Sequence, residues 1–201
     1  SLISIQVNHK NFERQIKDNP NRTVRRYTEI SRLVNQSIDE NADLLVMPES
    51  YVPFEWLTTL ARTVAKNDLA IVTGVEHIKI GKNIYNLTAV ILPYKELDSK
   101  GAYITFHLKT HYSPSEVRDI RGYGLTEVEG KNYELYYWKG CYFAVYCCYE
   151  LTSISDRALF QSYVDFLVAI EWNKDINYTL EKITINLYSS IVYHTLPSQD
   201  T

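Results

Sequence analysis

The sequence predicts a protein of the α/β class. Apolar runs with the length of strands alternate with segments whose apolar residues recur at helical spacing, and this alternation continues through nearly all of the 201 residues. The composition is that of a globular domain, with 45% hydrophobic and 22% charged residues. No internal repeat or low-complexity tract interrupts the pattern. We therefore expect one domain spanning residues 1–201.

The predicted elements of the first third begin with a strand-like run at Leu2–Val7. A helix follows, because apolar residues recur at helical spacing; these are Val24, Tyr27, Ile30, Val34 and Ile38. The apolar run Asp43–Met47 is typical of a strand covered on both faces, and Pro48 ends it. Pro53 suits the first turn of a second helix, whose inner face we expect to be Phe54, Leu57, Ala61 and Val64.

Three further apolar runs predict strands at Leu69–Val75, at Tyr85–Leu92, which Pro93 ends, and at Tyr103–Leu108. The polar stretch Thr110–Gly124 is predicted to be a long loop with one helical turn.

The last third of the chain continues the alternation. Tyr133–Trp138 and Tyr142–Cys147 are joined by a short polar link and predict a hairpin. Ser153 and Asp156 resemble a capping box for a helix that carries Leu159, Phe160 and Tyr163. Phe166–Ile170 is a predicted strand, and an amphipathic helix is predicted from about Tyr178 to Tyr193.

Charge and cysteine content exclude several classes of function. The net charge is −3, so no overall field favours nucleic acid or acidic membranes. The three cysteines, Cys141, Cys147 and Cys148, are odd in number and two are adjacent. This pattern argues against a disulfide framework and favours a reducing, cytoplasmic location. No apolar run has the length needed to span a bilayer.

Three side chains with reactive potential each follow directly on an apolar strand: Glu49, Lys109 and Cys148. Ligands bind at the carboxyl ends of strands in α/β sheets, because neighbouring strands deliver side chains to one crevice there. A carboxylate base, a cation and a thiol nucleophile that converge at such a place have an obvious joint use in covalent catalysis.

The residues around these three positions resemble the signatures of the nitrilase superfamily of carbon–nitrogen hydrolases. Leu45–Glu49 resembles the family's strand that ends in Pro-Glu, and Lys109–Glu116 matches its K-x-H-x-x-P-x-E segment. Cys148-Tyr149-Glu150 matches the motif at the nucleophile. The three motifs occur in the family's order, and the resemblance covers most of the chain.

This resemblance implies a four-layer α-β-β-α sandwich, with two sheets face to face and helices outside. It implies that Cys148 attacks a small amide or nitrile and becomes a thioester, with Glu49 as the general base. Lys109 and the backbone N–H of Tyr149 would hold the oxyanion. No metal or other cofactor is implied. Tyr149 stands where true nitrilases typically have Trp, which favours amides.

The resemblance also implies supporting roles. Glu116 matches the second glutamate of the lysine segment and would orient Lys109 and help to place substrate. For Glu150 we expect a structural salt bridge. Candidate residues for the lining of the pocket are Trp172, Asn173, Tyr51, Phe54 and Tyr112. Because neighbours on a strand point to opposite faces, Cys147 is expected to lie in the core while Cys148 meets Glu49 and Lys109.

Two other enzyme classes are weaker alternatives. His107 and His111 flank Lys109 and could serve as base to Cys148 in a Cys–His hydrolase. Metal binding is less favoured, because the chain has no C-x-x-C pair and the two histidines lack the zinc-protease arrangement.

A different class of function is suggested by length. Only 53 of the 201 residues follow Cys148, fewer than in typical family members, so we expect an incomplete second sheet and a longer parent polypeptide. The chain would then be a binding or regulatory module, for example one fused to a reverse transcriptase of an antiviral defence system. Family members commonly pair through the helices after the nucleophile, so a homo-oligomer is also expected.

Overall fold

The computed structural model describes residues 9–17 and 19–171 together with the backbone of residues 191–194. The helices are α1 His9–Ile16, α2 Val24–Asp39, α3 Leu57–Asn67, α4 Pro114–Gly122 and α5 Ile154–Ala158. The strands are β1 Leu44–Val52, β2 Ala70–Val75, β3 Ile78–Ile80, β4 Asn83–Tyr85, β5 Leu87–Glu96, β6 Ser99–Leu108, β7 Thr126–Glu127, β8 Leu135–Trp138, β9 Cys141–Cys147, β10 Phe166–Ile170 and β11 Ile191–His194. Short 3₁₀ turns cover Phe54–Trp56 and Cys148–Thr152.

These strands form two four-stranded sheets and one small three-stranded sheet. The first sheet has the order β1-β2-β5-β6, with β1 and β2 parallel and the other pairs antiparallel. The second has the order β11-β10-β9-β8, in which β9, β10 and β11 run parallel and β8 is antiparallel to β9. The α/β class predicted from the alternating pattern is confirmed.

The two large sheets pack face to face around an apolar layer. Val72 and Val90 of the first sheet share one buried cluster with Phe143, Val145 and Val168 of the second. A separate cluster joins the outer face of the first sheet to α2 and α3, and a third joins the outer face of the second sheet to the segment around α5. The layer order of helix, sheet, sheet and helix follows from these three clusters.

Helix α2 forms where predicted, but part of its inner face differs. Thr23 caps its N-terminus by accepting a hydrogen bond from the backbone N–H of Arg26. Ile30, Leu33 and Val34 pack in the core, whereas Val24 is 81% exposed and Tyr27 is 48% exposed. Of the apolar residues that indicated the helix, Val24 and Tyr27 therefore lie on its exposed first turn.

Two prolines expected to end strands lie inside them. Strand β1 runs through Pro48 to Val52 with an irregular register after Met47. Strand β5 runs through Pro93 to Glu96. Its pairing with β2 extends no further than Ile91, so Pro93 pairs only with β6, opposite Ala102. A strand with one unpaired side tolerates the missing N–H of proline.

Helices near the two motif segments also differ from expectation. The predicted loop Thr110–Gly124 contains α4, which Ser113 and Glu116 open with a full capping box and Pro114 in the first turn. The helix predicted after Ser153 is only the short α5, and Leu159 and Tyr163 are exposed.

The predicted final helix was wrong at its end. Residues 191–194 form β11, parallel to β10, so a further strand does begin where the pattern was expected to stop. In an apolar run of this length, periodicity alone does not distinguish a strand from a helix. The remainder of that helix and the strand Leu2–Val7 lie outside the described residues. Within the described ranges, no helix is long and apolar enough to cross a membrane.

Candidate active site

Glu49, within β1, and Lys109 bring a carboxylate and an ammonium group into contact. Lys109 follows β6 directly, and its Nζ donates to Glu49 Oε1 at 2.9 Å. The same Nζ donates to Glu116 Oε2 at 2.8 Å and to Glu116 Oε1 at 3.0 Å. Lys109 is 1% exposed and Glu49 is 3% exposed. The cation therefore lies between two carboxylates in a nearly dry setting.

A glycine in the neighbouring strand makes room for Glu49. A Cβ at Gly74 would lie 2.4 Å from the Cα of Glu49 and 2.4 Å from the backbone N of Ser50. Ser50 has a positive φ of 57°, which is the local irregularity of β1. Only glycine permits the backbones of β1 and β2 to approach this closely at the point where β1 bends.

Two cysteines follow one another at the end of β9, and the first of them contacts the charged cluster. The Cys147 thiol donates to Glu49 Oε1 at 3.3 Å. Cys148 opens the 3₁₀ turn with a φ of 49° and packs against the same apolar cluster that contains Cys147. Cys147 lies in the core as expected, but it also meets Glu49, so the expectation that only Cys148 meets the charged cluster was wrong. The left-handed backbone at Cys148 ends the strand, so strand alternation does not separate the two thiols.

Burial governs the protonation of these groups. It raises the pKa of the Cys147 and Cys148 thiols well above the ordinary value, and the negative charge of Glu49 adds to this, against the opposing effect of Lys109. Burial lowers the pKa of Lys109, but Glu116 and Glu49 outweigh it and the net shift is upward. Burial likewise opposes ionisation of Glu116, yet Lys109 and His77 bring its pKa down to about 2.

Asn86, which the sequence interpretation did not single out, lies at the centre of this cluster. It is fully buried, and its Nδ2 donates to Glu49 Oε1 at 2.7 Å and to Glu116 Oε1 at 3.2 Å. Its Oδ1 lies 4.0 Å from the Cys147 sulfur. The only sequence signal was one amide within the apolar run predicted as the strand Tyr85–Leu92.

Glu150 forms the expected salt bridge, with His107 as its partner. His107 Nε2 donates to the two Glu150 oxygens at 2.9 Å and 3.0 Å. Glu150 also accepts from the backbone N–H of Cys147 at 2.6 Å and of Thr110 at 2.5 Å. It therefore connects the residue that follows Lys109 to the residue that precedes Cys148.

The two histidines of the Cys–His alternative are engaged elsewhere. His107 is held between Glu150 and Glu134, whose Oε2 lies 3.2 Å from Nδ1. His111 pairs with Asp156 at 2.7 Å near the surface. Neither contact points an imidazole at a cysteine, which favours Glu49 as the base.

The other sequence-predicted residues divide into three groups. Tyr112 is brought to the site, with its ring centroid 5.3 Å from Lys109 Nζ, and Tyr149 lies half-buried in the turn after Cys148. Tyr51 packs in the cluster between the first sheet and the helices, and Phe54 stacks on Phe106 at the surface, so both expectations of a pocket role need correction.

Trp172 and Asn173 lie outside the described residues. No group of metal-ligating side chains is found in the described parts of the chain.

Solved structures of carbon–nitrogen hydrolases share this architecture. A CN-hydrolase superfamily protein from Xanthomonas campestris, with an arsenic adduct in its active site, aligns over 96% of this chain and 74% of its own with a TM-score of 0.58. The chain has the nitrilase-superfamily fold. An amidase from Nesterenkonia sp. aligns with a TM-score of 0.58 over 92% of this chain and 68% of its own. Their sequence identities to this chain are 13% and 12%, so the likeness concerns the fold.

The nitrilase-type fold also occurs as part of a larger matched protein. A glutamine-dependent NAD+ synthetase from Acinetobacter baumannii aligns over 86% of this chain with 17% identity and a TM-score of 0.56. This chain spans only 32% of that synthetase and 60% of the amidase chain in another structure. No protein-family model matches the sequence, and no curated protein does.

Proposed function

We propose that this chain hydrolyses a small amide through a thioester on Cys148, with Glu49 as general base and Lys109 as oxyanion stabiliser. The observation that carries the proposal is the buried Glu49–Lys109–Glu116 cluster, which contacts the Cys147 thiol directly before Cys148. Buried charges are costly, and such clusters are typical of catalytic sites. The amidase activity named for the Nesterenkonia structure supports the choice of substrate class.

Cys148 is favoured over Cys147 as the nucleophile because substrate must reach it. Cys147 is fully buried, whereas Cys148 is partly exposed and lies on the strained left-handed turn after the strand. Strain of this kind at a strand-to-helix turn is typical of residues that present a side chain for reaction. Cys147 contacts Glu49 but has no surface through which a substrate carbon could approach.

The proposed reaction moves one proton back and forth. Both thiols rest neutral, because burial and Glu49 raise their pKa values. Glu49 takes the thiol proton as the Cys148 sulfur bonds to the carbonyl carbon, and Lys109 faces the oxyanion that forms. The carbon–nitrogen bond then breaks, and Glu49 passes the proton to the leaving amine. Glu49 next takes a proton from a water molecule as the water oxygen bonds to the thioester carbon. The carbon–sulfur bond then breaks to release the acid, and Glu49 returns the proton to the Cys148 sulfur.

Intact-mass spectrometry after incubation with a panel of small amides tests the proposal. We expect wild-type protein to gain the mass of an acyl group, located on Cys148 by fragmentation. Cys148→Ala should gain no mass and should not turn over, whereas the matched Cys141→Ala variant should behave as wild type. An adduct on Cys147 would show that Cys147, and not Cys148, is the nucleophile. A folded wild-type protein that acylates with no amide in the panel would overturn the function.

The remaining expectations stay predictions. They are a small-molecule amide substrate, a homo-oligomer and a cytoplasmic location. The alternative of a binding or regulatory module, including one fused to a reverse transcriptase, is less favoured than catalysis. A module that only binds would have no use for two carboxylates and a lysine kept in a dry cluster, since apolar packing of the same volume is often equally stable.

A further inference from the structure

The carboxylate of Glu49 is held asymmetrically. Three donors approach it: Lys109 Nζ at 2.9 Å, Asn86 Nδ2 at 2.7 Å and the Cys147 thiol at 3.3 Å. All three end on Oε1. Within the described residues, all hydrogen bonds to Glu49 are thus accepted by Oε1, and none is accepted by Oε2.

Asn86 is the donor built most firmly into this arrangement. Its backbone N–H donates to the Tyr112 hydroxyl at 3.2 Å, and its carbonyl accepts from the backbone N–H of Lys109 at 3.0 Å. The side chain is fully buried, where an amide without hydrogen bonds would be costly. Because its Nδ2 also reaches Glu116, one amide bridges the two carboxylates that flank Lys109.

We propose that Asn86 is a positioning residue for the Glu49 base, holding Oε1 so that Oε2 exchanges the proton with Cys148 and the leaving amine. The inference rests on the proposed function, because it needs Glu49 to act as a base. A carboxylate that must accept and return a proton gains from a fixed orientation with one free oxygen. Asn86 supplies that orientation without adding charge. Lys109 alone would hold Glu49 less firmly, because it also donates to Glu116.

Kinetics of Asn86→Leu test this positioning on an amide that acylates the wild type. Leucine has a similar volume but no donor, so we expect kcat to fall roughly 100-fold, the effect of misplacing a catalytic group by about 1 Å. KM should change by no more than about threefold, because substrate contacts remain. The matched control is Thr88→Val, two residues further along the chain in β5. Thr88 is equally buried, and its hydroxyl has no hydrogen-bond partner in the described structure, so its kcat should stay near wild type.

Asn86→Asp supplies a readout that packing alone would not move. An ionised aspartate cannot donate to Glu49, whereas a protonated one can donate a single hydrogen bond. We therefore expect activity of this variant to recover as the pH is lowered, with an optimum displaced to lower pH than in wild type. A kcat in Asn86→Leu equal to that of Thr88→Val, or an Asn86→Asp profile with the wild-type optimum, would overturn the inference.

A substrate-free measurement separates this inference from the proposed function. In a double-mutant cycle of urea unfolding, Asn86→Leu should destabilise the wild type more than it destabilises Glu49→Met, because the hydrogen bond is already lost there. Additive effects would overturn the inference whatever the activity. A coupled cycle in a protein that turns over no amide would instead refute the proposed function and leave Asn86 as the residue that holds Glu49.

Discussion

Glu49 in β1 and Glu150 in the turn after β9 are both buried glutamates of the candidate active-site region. Glu150 accepts hydrogen bonds at both oxygens, from His107, from Thr110 and from the backbone of Cys147. Glu49 accepts its recorded bonds at Oε1 alone, from Lys109, Asn86 and Cys147. Among the residues that the structure describes, one carboxylate is thus bonded at both oxygens and the other at one oxygen alone.

The difference shows how the same side chain takes on different roles in one protein. A carboxylate with every acceptor site filled binds the elements around it together and gains nothing from releasing them. A carboxylate held at one oxygen keeps its orientation while the second oxygen exchanges a proton. We therefore expect changes at Glu49 to affect turnover and changes at Glu150 to affect stability.

Glu49→Gln should cause the largest loss. Glutamine keeps the size of glutamate but cannot take the thiol proton, so kcat should fall by about 10³-fold, within the range of general-base contributions. Lys109 retains Glu116, so the circular dichroism spectrum should stay that of wild type. Steady-state kinetics on an accepted amide measure the effect. A fall in kcat of tenfold or less would contradict the catalytic role that distinguishes Glu49 from Glu150.

Glu150→Gln should act on stability. It leaves the buried His107 facing only Glu134 and weakens the hydrogen bonds to two backbone N–H groups. Removing one partner of a buried ion pair costs about 3–5 kcal/mol, which urea unfolding would detect. Unchanged stability together with a loss of turnover as large as that of Glu49→Gln would show that Glu150 is not the structural member of the two.

His107 gives the structural cluster a pH dependence. Burial lowers its pKa, but Glu134 and Glu150 outweigh this and raise it from 6.5 to about 9. A raised pKa means that the extra stability is complete below about pH 6.5 and is lost as the pH rises through 9. The shift corresponds to about 3 kcal/mol at most. Unfolding measured from pH 6 to 10 should show this loss in wild type and a flatter curve in His107→Gln.

Glu116 gives the candidate catalytic cluster a pH dependence of the opposite sign, with stability lost in acid rather than in alkali. Its pKa is lowered from 4.5 to about 2, so its stabilising effect is present above pH 4.5 and is lost as the pH falls towards 2. Acid unfolding of wild type and of Glu116→Gln should therefore differ in slope below pH 4.5, while their slopes above pH 7 agree. Equal slopes in acid would contradict the assignment of this charge.

Cys147→Ala should have the smallest effect. Cys147 lies in the core between the sheets, and its loss leaves a small void, so we expect a cost of about 1 kcal/mol in unfolding free energy. Turnover should stay within about threefold of wild type. Cys141→Ala, at the other end of β9, is the matched control. A loss of activity as large as that of Cys148→Ala, with unchanged melting temperature, would make Cys147 the nucleophile.

Local patterns in the sequence were enough to place Lys109 and Cys148 directly after strands, whereas β1 continues past Glu49 to Val52. Apolar runs with the length of strands mark β2, β9 and β10 because these strands are largely buried. The hairpin of β8 and β9 follows from the short polar link between two such runs. The capping residues of α4 were also present, as Ser113, Pro114 and Glu116, but were not recognised as a helix start.

Features that depend on a single backbone angle or a distant contact could not be predicted. The side of the sheet on which Cys148 lies depends on its positive φ, which no periodicity encodes. The Asn86 amide is one polar residue in an apolar run until Glu49 and Glu116 are brought to it from positions 37 and 30 residues away. The length of β5 past Pro93 depends on where its pairing with β2 stops.

The sequence by itself determined which residue types stand at the strand ends, since hydrophobic periodicity and motif spacing are local properties of the chain. Tertiary structure alone decided which oxygen of each glutamate is occupied and which thiol touches Glu49. Those outcomes depend on the packing of two sheets whose partners lie tens of residues apart. The free energy of each buried charge is set by the groups that surround it, and only the folded chain assembles those groups.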